Sequence, residues 1–90
     1  MPAIRIVVRG RVQGVGFRYY ARQIALEAGV TGEVWNRSDG AVEVLAEHPD
    51  EAVLTSFSNA IERGPGSVRD VLIEPTVERG FTGFTVGPTR

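Results

Sequence analysis

The sequence predicts an α+β sandwich in the order β-α-β-β-α-β: an antiparallel sheet with two helices on one face and a short extra C-terminal strand. Three observations predict it. Apolar and polar residues alternate near the start of the chain. Two later stretches repeat apolar residues at helical spacing and stop at glycine. A Ser-Asp-Gly turn joins two strand-like runs.

In order along the chain, Ile4, Ile6 and Val8 alternate with Arg5, Val7 and Arg9, as in a strand with one buried face. Residues Gly10 to about Gly16 read as a glycine-bearing loop. Phe17, Ala21, Ile24, Ala25 and Ala28 share one helical face, and Gly29 is the stop signal. Val30 to Arg37 reads as a second strand and Ala41 to Ala46 as a third, paired as a hairpin through Ser38-Asp39-Gly40. Pro49, Asp50 and Glu51 suit the first turn of a second helix, where a missing N–H costs little and negative charge is favoured. Val53, Phe57 and Ile61, with Leu54 beside them, form its buried stripe, and Gly64-Pro65 ends it. Ser67 to Val77 reads as a fourth strand and Phe84 to Val86 as a short terminal one. This order is the split β-α-β, ferredoxin-like motif, which by itself implies no activity.

Ninety residues make one domain, with no room for a second core. A formal net charge of −1 implies no polyelectrolyte partner such as a nucleic acid. No run approaches the ~20 apolar residues of a membrane helix, and Met1 to Val8 lacks the layout of a signal peptide. The chain contains no cysteine, which removes thiolate nucleophiles, disulfides and Cys-based zinc sites. The cytoplasm is the expected location, and no interface stripe argues against a monomer. Every basic residue except His48 is arginine.

The informative segment is Gly10-Arg11-Val12-Gln13-Gly14-Val15-Gly16-Phe17-Arg18. It falls where a strand ends and a helix begins. Glycines at 14 and 16 let successive backbone N–H groups converge on one point. The helix starting near Phe17 adds its unpaired N–H groups and the positive end of its dipole, so phosphate is the natural occupant. Arg18 at the mouth can give phosphate oxygens a planar, bidentate pair of hydrogen bonds. A Walker A loop is excluded by the absence of lysine, and the dinucleotide fingerprint by Tyr19 where a third glycine is required. The bland alternative is a plain glycine turn with Arg18 as a surface charge.

The run Gly10 to Arg18 resembles the signature of the acylphosphatase family. That resemblance implies a metal-free, cofactor-free hydrolase that splits small acyl phosphates into carboxylate and phosphate. It implies that the backbone of Gln13, Gly14, Val15, Gly16, Phe17 and Arg18 cradles the phosphoryl group, and that Arg18 is catalytic. The family's second signature is a glycine, usually an aromatic, a small apolar residue, usually a basic residue, then an asparagine, with a glycine four positions on. Gly32, Val34, Asn36 and Gly40 fit it, followed by Val42. Glu33 stands where an aromatic is usual, Trp35 where a basic residue is usual, and His48 where a glycine is common before the second helix. Because strand side chains alternate, the aromatic has moved two residues along one face. By itself Asn36 reads as a residue opening the hairpin turn; the resemblance makes it similar to the residue that holds the attacking water. Its neutral amide can both donate to water and accept from it.

So small a set is chemically adequate. An acyl phosphate is a mixed anhydride whose carboxylate leaves without a proton, so no general acid is demanded. The transition state spreads charge over the equatorial oxygens, where amides and one guanidinium can meet it. His48 reads as an exposed or capping residue with no second histidine to complete a zinc site. Ser56, Ser58 and Ser67 read as surface or cap residues, and Glu33, Asp39, Glu43 and Glu47 as hairpin surface charges. At least one of Tyr19 and Tyr20 should pack, and either could shape the rim of the site. The competing function is a non-catalytic phosphate, small-ligand or RNA-binding module on the same fold. Arg5, Arg9 and Arg11 would line the helix-free sheet face, but that face lacks the aromatic platform on which RNA bases stack.

Overall fold

The computed structural model describes all residues, 1–90. The strands are β1 (Ala3–Arg11), β2 (Thr31–Asn36), β3 (Val42–Glu47), β4 (Ser67–Pro75) and β5 (Phe84–Val86); the helices are α1 (Phe17–Ala28) and α2 (Glu51–Glu62). The sheet runs β4-β1-β3-β2-β5. Its first four strands are antiparallel as expected, but β5 lies parallel to β2, so the sheet is mixed. Consequently β1, β2 and β5 all end on the same side of the molecule. The glycine loop, Arg18 and Asn36 collect there.

Alternation places Ile6 and Val8 of β1, Val34 of β2 and Val42, Val44 and Ala46 of β3 on one face, under Phe17, Ala21 and Ala25 of α1 and Leu54, Phe57 and Ile61 of α2. Both helices therefore cover one face, the ferredoxin-like arrangement. On α1 the stripe stops a turn early, with Ala28 exposed. On α2 the buried residues are Leu54, Phe57, Ser58 and Ile61, with Val53 at the margin. Ser58 is therefore not the surface or cap residue expected: at 5% exposure it fits the core because its hydroxyl donates to the Thr55 carbonyl at 2.9 Å.

Strand β1 runs on through Gly10 and Arg11, which were expected to open the loop, because both pair with the start of β4. The register shifts between Arg9 and Gly10, where Arg69 is the extra residue of a bulge in β4. Asp50 caps α2 by accepting from the Ala52 N–H at 2.9 Å, and Pro49 lies just before the cap. His48 is a capping residue, its Nδ1 accepting from the Asp50 N–H at 2.9 Å.

Glu47 departs most from expectation. It is 2% exposed, and its carboxylate accepts from the backbone N–H of Arg79 at 2.5 Å and of Phe81 at 3.1 Å. Burial is tolerable because both oxygens are satisfied. The carboxylate ties the crossover between β4 and β5 to the end of β3, and so helps to place β5. Glu47→Ala should lower stability by about 2–3 kcal/mol, since it removes two charge-assisted hydrogen bonds and orphans their donors. Urea unfolding checks this, and an unchanged midpoint would show that the crossover is held by other contacts.

Candidate functional site

Residues 12–16 leave the end of β1 and enter α1 at Gly16. Gly14 and Gly16 have φ of 73° and 82°, the left-handed region where an L side chain is strained. Three side chains fix the loop. Val12 and Phe17 are each 1% exposed and anchor its two ends in the core. The Gln13 amide donates to the carbonyls of Arg37 and Ala41, each at 2.8 Å, tying the loop to the β2–β3 hairpin. Gln13 thus has a side-chain role that its place in the loop did not announce, while its N–H stays with the other loop amides.

Those amides have no intramolecular use. The backbone N–H groups of Gln13, Gly14, Val15, Gly16, Phe17 and Arg18 donate to no acceptor in the chain; the loop's one backbone bond runs from the Tyr20 N–H to the Gly16 carbonyl. The start of α1 has no side-chain cap and no acidic residue in its first turn, whereas α2 has both. One helix start is neutralised from within the chain. The other is left open, with partial positive charge and a guanidinium beside it.

Arg18, half-buried in the first turn of α1, donates from Nη1 to the Gly87 carbonyl at 3.0 Å and pairs with no carboxylate. Asn36 is the last residue of β2 and shares the helix-side face with Val34. Arg18 and Asn36 line one concavity of about 70 Å³ together with Gly14, Gly16 and Tyr19. Tyr19 is 67% exposed at its rim, while Tyr20 packs beside Phe17 and donates its hydroxyl to the Ala60 carbonyl at 2.7 Å. The sequence points to the loop, Arg18 and Asn36 but carries no sign of Gly87, whose carbonyl reaches Arg18 because β5 runs parallel to β2.

Of the three arginines expected on the helix-free face, Arg5 and Arg9 are paired with carboxylates and Arg11 is not. Arg5 pairs with Glu74 at 2.6 Å and with Glu43 at 3.3 Å, Arg9 pairs with Asp39 at 3.3 Å, and Arg37 bridges Asp39 and Glu43. Hydrogen bonds to Glu74 and Glu43 raise the Arg5 pKa further. The Ala41 N–H, and then Arg37 and Arg9, hold the Asp39 carboxyl below the usual carboxylate range. No stripe of unpaired arginines crosses this face. A larger groove of about 420 Å³ between the start of β1, α2 and β4 is mostly aliphatic and small-polar, with Glu51 its single charged side chain.

The class is thus a ferredoxin-like sandwich that opens an uncapped helix start and an arginine at the end of its sheet. The acylphosphatase family profile matches residues 4–86. The acylphosphatase of Thermotoga petrophila is 44% identical over 88 residues, covering 96% of this chain and 97% of that protein. The acylphosphatase of Bacillus licheniformis is 47% identical over 89 residues, covering 96% and 98%. The crystal structure of the Bacillus subtilis acylphosphatase superposes with a TM-score of 0.91 at 42% identity, covering 97% of this chain and 99% of that one. The chain belongs to the acylphosphatase family. It is a hydrolase of the carboxyl-phosphate bond, releasing carboxylate and inorganic phosphate.

Proposed function

We propose that the loop amides from Gln13 to Arg18, with the Arg18 guanidinium, bind the phosphoryl group of a small acyl phosphate, and that Asn36 holds the attacking water. The observation that carries this reading is the row of six amides without an intramolecular acceptor beside an uncapped helix start. A phosphoryl group supplies the oxygens these donors lack, and Arg18 adds the full charge. Water on the Asn36 amide attacks phosphorus in line with the acyl oxygen. The phosphorus–oxygen bond to the acyl group breaks, its electron pair leaves with the carboxylate, and the water's protons pass to phosphate and solvent.

The donors are in place before the reaction, because Val12, Phe17 and Gln13 already hold the loop, so charge developing on the equatorial oxygens requires little reorganisation. The bidentate fork of Arg18 suits that planar array of oxygens. No step calls for a metal or a cofactor. The purified chain should therefore turn over benzoyl phosphate at the same rate with and without chelator, with inorganic phosphate as a competitive inhibitor. Loss of turnover on chelation, or indifference to phosphate, would overturn this reading.

The cysteine-free composition fits the reducing cytoplasm as the place of action. A monomer is supported by the edge strand β4, where the bulge, Arg69, Asp70, Glu74 and Pro75 all deter pairing with a second sheet.

A further inference from the structure

The two positions of β2 that depart from the family pattern, Glu33 and Trp35, lie on the helix-free face, yet Trp35 is only 7% exposed. Over its ring lies Arg90, from the segment following β5. Residues 87–90 continue alongside β2: the Gly87 N–H donates to the Val34 carbonyl at 2.7 Å, the Arg90 N–H to the Asn36 carbonyl at 2.8 Å, and the Arg90 carbonyl accepts from the Ser38 N–H at 2.8 Å. The Arg90 guanidinium then folds over the Trp35 ring, 4.3 Å from its centroid, and pairs with the Glu33 carboxylate. Gly87 lies so close to Glu33 that a Cβ added there would come within 2.8 Å of Oε2. The backbone of this short segment follows β2 while Arg90 grips the outer face, and the carbonyl at its start receives Arg18 Nη1 at 3.0 Å.

We propose that Glu33, Trp35 and Arg90 form a clamp that positions Arg18 through the Gly87 carbonyl. This rests on the reading of Arg18 as the phosphoryl-binding arginine. An arginine side chain has many rotamers, and the Gly87 carbonyl selects one by engaging one edge of the guanidinium and leaving the other edge for substrate. That selection requires the carbonyl to stay still. Beyond its pairing with β2, the segment is anchored by the cation–π and ionic contacts of Arg90. The two departures from the family pattern therefore act together as the seat for one side chain. They are positioning residues, since none of the three lines the concavity.

The test uses the full chain, with benzoyl phosphate turnover, urea unfolding and the NMR signal of the Arg18 guanidinium Nε–H. Arg90→Ala should lower kcat/KM by about tenfold or more, the scale of loss from small misplacement of a reacting group. The urea midpoint should move little, and the Arg18 signal should shift to the position of a freely exposed arginine. Trp35→Leu should reproduce this loss, while Trp35→Phe, which keeps a ring under Arg90, should stay near wild type. Wild-type turnover in Arg90→Ala would overturn the clamp, as would a loss of turnover with the Arg18 signal unmoved. Failure of the underlying reading has a different signature: Arg18→Ala itself would retain wild-type turnover.

Discussion

Replacing Arg18 with alanine is expected to lower kcat/KM by about 10³-fold or more, the scale of removing a catalytic arginine from phosphoryl transfer, and to abolish competitive inhibition by inorganic phosphate. The reasoning is geometric. Gln13 to Arg18 offer six partly charged amides, but Arg18 carries the full positive charge lining the concavity. In the proposed reading a dianionic phosphoryl group binds through both, and the guanidinium also meets charge as it moves outward in the transition state. Ground-state affinity and turnover should therefore fall together. Arg18→Lys should recover only part of either, because an ammonium keeps the charge but loses the planar fork and the fixed contact with Gly87.

Stability separates this outcome from simple misfolding. The substitution removes one hydrogen bond to a backbone carbonyl, so unfolding should shift by no more than about 1 kcal/mol. Phosphate inhibition in Arg18→Ala equal to wild type would move the anion site away from this loop.

Parts of this molecule were legible in the chain because their physics is local. The alternation of Ile4, Ile6 and Val8, the glycine stops and the Ser-Asp-Gly turn each report on a few neighbouring residues, and the strand and helix order follows from them. The loop is local too: its glycines and the helix behind it make the proposed anion site within nine residues. In sequence Glu47 reads as a surface charge because nothing adjacent marks it as buried; its partners, Arg79 and Phe81, lie more than thirty residues away. The parallel course of β5 depends on a crossover that sequence periodicity does not record. Gly87 is a further case, 69 residues from Arg18, and a carbonyl acceptor leaves no trace in residue type. Local chemistry thus points to the groups proposed to act, while the groups that hold them still are visible only in three dimensions.

Asn36→Ala should divide binding from turnover in a way that Arg18→Ala cannot. Expected is a fall in kcat of about 10²–10³-fold, the scale of deleting one preorganised hydrogen-bonding group, with the inhibition constant of inorganic phosphate little changed. The side chain is an uncharged amide on the strand end, and in this reading its partner is the water rather than the phosphoryl group. An interaction made fully only as water approaches phosphorus lowers kcat without weakening ground-state binding. The fold should tolerate the change, since the Asn36 carbonyl, which accepts from the Arg90 N–H at 2.8 Å, is backbone and survives it. Asn36→Asp sharpens the test. It keeps the shape and can still accept from water, but it sets a negative charge in the concavity that Arg18 lines. Like charges repel, so phosphate inhibition should weaken in Asn36→Asp and hold in Asn36→Ala. If both variants hydrolyse benzoyl phosphate at the wild-type rate, water is oriented by some other group and Asn36 is a turn residue alone.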